Sequence, residues 1–268
     1  MILARILTHL RQQVWTGAVI ELTIVVLGVF IGIQASNWNQ ARENADKGQQ
    51  FAGRLLHDLR RDLDGREQMA KYYREVTDSA EKTVALLESA APDSRALIVN
   101  AYRASEMNYY VTIRATWDEL VSSGELGILP ASIDLADISM FFNFDVSLDT
   151  KNAIERASYR QRLRRLMPHA VQKAIRTGCS DVMDDINNVI AFKSDCTLDL
   201  PDADIATAAA TLARDAELLP DLRLHFSTIS SAVNNIGGDI VLLTRAVASF
   251  DADARKRADA EQHGGAAN

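Results

Sequence analysis

The side chains with chemical potential are sparse and scattered. Asp58, Asp62 and Asp64 form one acidic cluster and Asp181, Asp184 and Asp185 another. Either has the ligand type for a divalent cation, although a solvated acidic face is the ordinary use of such spacing. The five histidines stand apart, with no HExxH and no imidazole pair at helical spacing, and GxSxG, P-loop and GxGxxG segments are all missing. Cys179 and Cys196 lie 17 positions apart, with no CxxC or Cys/His spacing suited to zinc. They are either a disulfide closing one helix-sized loop in an oxidising compartment or two unrelated buried thiols. Tyr109, Tyr110, Trp117, Phe141, Phe142 and Phe144 concentrate the aromatics within 36 residues, as a core or as the lining of an apolar pocket. These spacings assemble no catalytic set, so the chain is expected to be no enzyme and to carry no cofactor and no metal.

The elements that must carry these residues begin with an apolar run. Residues 17–35, GAVIELTIVVLGVFIGIQA, are bracketed by Trp15 and Trp38. At 1.5 Å per residue the run rises roughly 29 Å, close to the hydrocarbon thickness of a bilayer, with the indoles where an interfacial aromatic belt sits. A transmembrane anchor over 14–38 is therefore expected. Within it, Gly28 and Gly32 form GxxxG and Ser36 extends the small-residue stripe, a spacing that lets two helix backbones approach closely. Glu21 places a carboxylate in the run at a cost of about 3 kcal/mol unless it is protonated, snorkels or is paired. It reaches headgroups or Arg11, or it pairs with another protein's membrane helix.

Ahead of the anchor lies a short amphipathic head, 1–13, with Ile2, Ile6 and Leu10 on one face and Arg5 and Arg11 elsewhere. A cleaved signal peptide fits less well, because the apolar stretch is long and Ile33 occupies a position where a small residue is wanted before Ala35. Basic residues flank the span on both sides, so the charge rule hardly decides its orientation. A head without acidic residues favours a cytoplasmic N-terminus and a periplasmic domain.

The remaining composition suits one helical domain over 39–256. Hydrophobic residues make up 47% and charged residues 24% of 268, with 5 prolines and 13 glycines, so helices are favoured over a sandwich or barrel. The expected fold is all-α, an N-terminal transmembrane helix continuing into an antiparallel helical bundle. Ala52, Leu55, Leu59, Leu63, Met69, Tyr73, Val76, Ala80 and Val84 keep a three-or-four spacing up to Ala91-Pro92. Further helices are expected from a Ser94 cap to about Tyr110, around Trp117 up to Ser123-Gly124, and from Leu148 to Thr177 with Pro168 interrupting. Others are expected within 181–192 (DVMDDINNVIAF) and over 202–218. The last begins near Pro220, where Leu222, Phe226, Ile229, Val233, Ile236, Ile240, Leu243, Val247 and Phe250 alternate steps of four and three through Gly237-Gly238. Residues 257–268 read as a disordered tail.

The pattern Glu21, Gly28, Gln34, Asn37-Trp38-Asn39 and Arg42 resembles the N-terminal anchor of an uncharacterised family of bacterial single-pass membrane proteins. There a Gly-Glu pair opens an Ile/Val/Leu run that ends in Gln-x-Asn-Asn-Trp-Asn-Glu. Thr116 to Leu129, TWDELVSSGELGIL, resembles that family's Thr-x-x-x-Leu-x-Ser-Ser-Gly-x-Leu segment, and the two stretches cover roughly a quarter of the chain. Ile20 stands where the family has Gly, Ser36 replaces the first Asn and Gln40 replaces Glu. The resemblance implies membrane anchoring and a helical domain in a family without an assigned activity.

Charge is unevenly distributed. Residues 151–176 hold eight Lys or Arg and one acid, and 181–221 hold ten acids, Lys193 and Arg214. Such blocks are solvated helix faces, or they dock on each other within or between subunits, or they meet lipid headgroups or a nucleic-acid backbone. The net charge of −7 argues against nucleic acid as a partner. The expected partners are the lipid bilayer and other membrane subunits or a second copy of the chain. The role that follows is a structural, assembly or partner-binding subunit of a bacterial inner-membrane complex. An extracytoplasmic ligand sensor acting through a partner, or a stator-like ion-coupled protein using Glu21, are the alternatives. Reporters active only in the periplasm, fused after Asp64 and after Asp253, are expected to be active at both positions; inactivity of both reverses the orientation.

Overall fold

The first proline of the chain is Pro92, and the first helix uses the whole stretch before it: α1 runs unbroken from Ile2 to Glu88, 87 residues. The computed structural model describes residues 2–144, 146–179, 181–184 and 189–264, with the backbone alone up to residue 16. The chain is all-α, 80% helical and 3% strand. After α1 come α2 (Ser94–Ala104), α3 (Ala115–Ser123), a 3-10 turn (Glu125–Ile128), α4 (Leu135–Asn143), α5 (Val146–Glu155), α6 (Ser158–Leu166) and α7 (His169–Gly178). A hairpin of β1 (Asp181–Met183) and β2 (Val189–Phe192) precedes α8 (Asp202–Arg214) and α9 (Leu218–Gly264).

The domain is built on α1 and α9, which run antiparallel: Arg60 pairs with Asp251, Arg66 with Asp239 and Glu88 with Arg223, so partners descend along α9 as α1 advances. Three apolar clusters lie along this pair. Nearest the apolar end of α1, Phe51, Leu55 and Leu59 pack with Trp117, Leu120, Phe141, Leu243 and Phe250. In the middle Met69, Tyr73 and Val76 meet Ile154, Ile229 and Ile236. At the far end Ala80 joins Leu97, Tyr102, Tyr159, Leu163, Val171 and Leu212 from α2, α6, α7 and α8.

Helix α9 crosses Gly237-Gly238 without a break. Leu222, Ile229, Ile236, Leu243 and Phe250 are buried as expected, but Phe226, Val233, Ile240 and Val247 are only half-buried. The second interior row is displaced by one residue, to His225, Ala232, Asp239, Ala246 and Asp253. The polar members of that row have partners: Asp239 meets Arg66 of α1, His225 meets Ala104 O, and Asp253 accepts from Ser132 and Arg257. On α1 the same displacement puts Asp62 and Arg66 inside and leaves Leu63 half-buried.

Local structure departs from expectation in five places. Asp93, not Ser94, caps α2, its carboxylate accepting from Ala96 N at 2.8 Å. Helix α2 stops at Ala104, and residues 106–114 form neither helix nor strand; the aromatic and β-branched side chains of their sequence EMNYYVTIR disfavour continuing the helix. The helix expected over 148–177 is three helices, broken at Pro168 and also at Arg156-Ala157. The helix expected over 181–192 is a hairpin, with Asp181 opposite Phe192 and Val182 opposite Ala191, and the VIAF run is half-buried, Val189 and Phe192 packing against the middle cluster. Finally, α9 continues through the start of the expected tail to Gly264, while 265–268 lie outside the described residues. The turn after α3 is as read: Gly124 adopts φ 72°, a left-handed helix stop.

Ile236 is fully buried and Val241, five residues on, is 53% exposed. Replacing Ile236 by Asp forces an unpaired carboxylate into the middle cluster and is expected to cost roughly 3–5 kcal/mol, whereas Val241→Asp costs about nothing. Denaturant unfolding of the two variants checks the register of α9, because the wrong register exchanges their effects.

Candidate functional site

The apolar half of α1 stands clear of the domain. Its large side chains from Val19 to Ile33 are 52–65% exposed, and the best 18-residue window has a mean hydropathy of 2.1 with none of it buried. The helix is long and apolar enough to cross a membrane. Gly28 and Gly32 have nothing within 4 Å of where a Cβ would sit, and Ser36 and Glu21 are exposed on the same free stretch. Trp38 is 69% exposed at its end, whereas the Trp15 side chain lies outside the described residues.

The domain half of α1 carries a polar row in its core, and each member has a backbone or charge to satisfy. The irregular segment 106–114 makes no ladder with a neighbouring strand, so its peptide groups need other partners. Tyr73 supplies two, its hydroxyl donating to Asn108 O at 2.6 Å and accepting from Asn108 N at 3.1 Å. Ser147 accepts from Tyr110 N, and the Asp62 carboxylate accepts from Ile113 N at 3.0 Å. Gly65 permits the segment to lie this close, since a Cβ there would come 2.3 Å from the Tyr110 ring. Arg66, with no exposed surface, donates through Nε to Asp239 at 2.9 Å, and its Nη atoms reach Thr112 Oγ1 and Tyr110 O.

The Asp58–Asp62–Asp64 cluster is therefore not one face: Asp58 accepts from Thr116, Asp62 is buried and Asp64 is exposed. Asp181 and Asp184 lie on or beside the hairpin rather than on a helix, and Asp185 lies outside the described residues. Among the described residues no group of three or more His, Cys, Asp or Glu is placed to hold a metal ion. The aromatic concentration divides. Trp117, Phe141 and Phe142 are core, with Trp117 and Phe142 stacked at 5.2 Å, while Tyr109 and Phe144 are exposed.

The cysteines are joined. The Cys179–Cys196 disulfide closes the base of the hairpin onto the end of α7. Beside it a partly enclosed cavity of about 120 Å³ is lined by Tyr102, Arg103 and Glu106, by Ile175, Arg176 and Cys179, and by Asp181 and Phe192. Arg164 lies over the Tyr102 ring at 3.5 Å and donates to Glu106 at 2.7 Å, and Arg176 donates to the Tyr102 hydroxyl at 2.7 Å. Arg160 donates to Ser105 O alongside. Burial, with Arg164 and Arg176 as neighbours, lowers the Arg160 pKa, and burial lowers that of Arg103. Asp181 is pushed up to about 6 by burial and by Glu106. The charge blocks of the sequence do meet in part, at Arg162 with Asp221 (2.6 Å) and Asp215 (3.6 Å). This cavity was not foreseen, because its charged groups come from α2, α7 and β1; only the density of arginines over 151–176 hints at it.

The chain matches no family model, no curated protein and no solved structure. The likeness of its anchor to a family of single-pass proteins rests on the residues quoted for it.

Two buried groups set opposing pH dependences. Burial pushes Asp62 from 3.8 up to about 7, and its Oδ2 has no hydrogen-bond partner among the described residues. Its ionisation therefore costs stability that begins to be lost above pH 3.8 and is fully lost above 7. Burial pushes His225 from 6.5 down to about 4, with Nε2 donating to Ala104 O at 2.9 Å and the ring stacked on Tyr159. Its contribution is present above pH 6.5 and is lost as the pH falls to 4. Between pH 7 and 4 the two effects offset. Asp62→Asn removes one of them, so the variant is expected to exceed the wild type by up to roughly 4 kcal/mol at pH 8 and to lose about 3 kcal/mol between pH 6.5 and 4. Urea unfolding across this range measures both, and an Asn variant that weakens the protein at pH 8 contradicts a buried, unpaired carboxylate oxygen at position 62.

Proposed function

We propose that this chain is a single-pass protein of a bacterial inner membrane whose helical domain acts by binding, as an assembly or partner-binding subunit, without chemistry of its own. The observation that carries the reading is the double use of α1. One uninterrupted helix is exposed and apolar over Val19–Ile33 and becomes the central core helix of the domain from Phe51 onward. A mere tether needs no such continuity. Here any contact that tilts or displaces the domain is carried by a stiff rod into the apolar segment.

The bare Gly28, Gly32 and Ser36 stripe supports association within the bilayer, where small residues allow the van der Waals packing that replaces a hydrophobic driving force. The disulfide supports an oxidising compartment for the domain and hence a cytoplasmic N-terminus. A sensor that signals through a partner is the second reading, and the charged cavity beside the disulfide favours it. Replacing Gly28 and Gly32 together by Ile is expected to reduce the mass of the particle extracted in mild detergent, as measured by light scattering, while circular dichroism is unchanged. A wild-type particle of monomeric mass, or an unchanged mass in the double variant, defeats association through this stripe.

A further inference from the structure

We propose that the cavity between α2, α7 and the hairpin is a binding site for a small oxyanion, a carboxylate or a phosphate, held by Arg103 and Arg176. The inference concerns the domain alone and stands apart from whether the anchor associates. Four guanidinium groups, Arg103, Arg160, Arg164 and Arg176, gather here around two carboxylates, Glu106 and Asp181. Glu106 is already engaged by Arg164 at 2.7 Å, which leaves Asp181 facing Arg103 and Arg176. Arg160 is bonded to a neutral carbonyl and has Arg164 and Arg176 as like-charged neighbours, an arrangement that an added anion relieves.

Size and placement narrow the ligand. A cavity of about 120 Å³ has room for roughly four water-sized groups, enough for inorganic phosphate or a short carboxylate and too small for a nucleotide. On α1 the level of the cavity is marked by Tyr72, whose ring lies 4.9 Å from that of Phe192, and Tyr72 is 34 residues beyond Trp38. That is about 50 Å along α1, so a headgroup of the membrane that α1 would enter does not reach the cavity. The ligand is therefore a soluble anion. Arg103 already donates through Nη2 to Lys193 O and Arg176 through Nε to the Tyr102 hydroxyl, while Arg103 Nε has no partner among the described residues; the guanidinium donors that remain suit an oxyanion.

The hairpin makes the site responsive. Asp181 and Phe192 are directly paired across the strands, and both line the cavity. The groups facing Asp181 are Tyr72 from α1, Arg103 and Glu106 from α2 and the residues after it, and Arg176 from α7, with Glu75 of α1 acting on Arg103. Its carboxylate opposes an incoming anion when ionised and ceases to do so when protonated.

The test uses the full chain in mild detergent, in a buffer free of oxyanions, with sodium phosphate or sodium acetate titrated at constant ionic strength against chloride. Calorimetric titration and the thermal midpoint are the readouts. A saturable signal with either anion is expected, weakened at least tenfold by Arg103→Gln and by Arg176→Gln. Asp181→Asn is expected to tighten binding several-fold at pH 7.5 and to leave it unchanged at pH 5, a gain that a misfolded variant cannot produce. Absence of a saturable signal with both anions, equal binding by the arginine variants, or weaker binding by Asp181→Asn overturns the proposal.

Discussion

The position of Arg66 is the constraint from which the domain's arrangement follows. A guanidinium without exposed surface has five donors to satisfy, and here they are shared among Asp239 of α9 and Thr112 and the Tyr110 carbonyl of the segment 106–114. It therefore fixes three parts of the chain, distant in sequence, at one depth. Removing either member of a buried ion pair leaves the other uncompensated, at about 3–5 kcal/mol, while an apolar replacement of both is often neutral. The pair is better understood as specifying register than as adding stability. A lysine in its place would offer a point charge where a planar fork is used.

Much of the architecture is legible because it is written in apolar spacing, and the misreadings share one cause. Polar residues in the core were read as surface. On α9 the row Leu222, Ile229, Ile236, Leu243, Phe250 is apparent, while its companion His225, Ala232, Asp239, Ala246, Asp253 is hidden behind half-buried Phe226, Val233, Ile240 and Val247. On α1 Leu63 displaced Asp62 from the expected interior for the same reason. Arg66, one turn along the same helix, does not by itself mark Asp62 as buried; its place inside depends on Ile113 arriving from elsewhere to donate to it. Residues 106–110 and the hairpin were absorbed into helices because short apolar runs fit either period, and their true partners, Tyr73 and Glu75, lie on α1 more than thirty residues away.

The candidate site was legible in proportion to how local it is. Gly28, Gly32 and Ser36 occupy consecutive turns of one helix, so their spacing alone declares the stripe. The disulfide was half legible, two cysteines at a workable separation with no signal that a hairpin rather than a helix lay between them. The cavity beside it was not legible, since Arg103, Arg176 and Asp181 converge only after α2, α7 and β1 pack. A surplus of arginine in one block did point to something needing negative charge. Arg162 finds it in Asp221, and Arg164 finds it in Glu106 beside the cavity.

Because Arg66, Asp62 and Tyr73 fasten one face of α1 to the domain, they also fix the rotational phase of everything upstream on the same helix. Gly32 precedes Arg66 by 34 residues. At 3.6 residues per turn that is about nine and a half turns, which places Gly32 roughly opposite the Arg66 side of the helix. Gly28 and Ser36 fall within about 40° of it by the same count. Since Arg66 faces α9, the small-residue stripe faces away from the bulk of the domain. Two copies meeting along the stripe would carry their domains outward on either side of the seam rather than into each other. A third helix from another protein would find the same unobstructed approach. An anchor joined by a flexible linker would leave that phase undefined, so the unbroken α1 turns a weak motif within the apolar segment into a surface with a set orientation relative to the domain it carries.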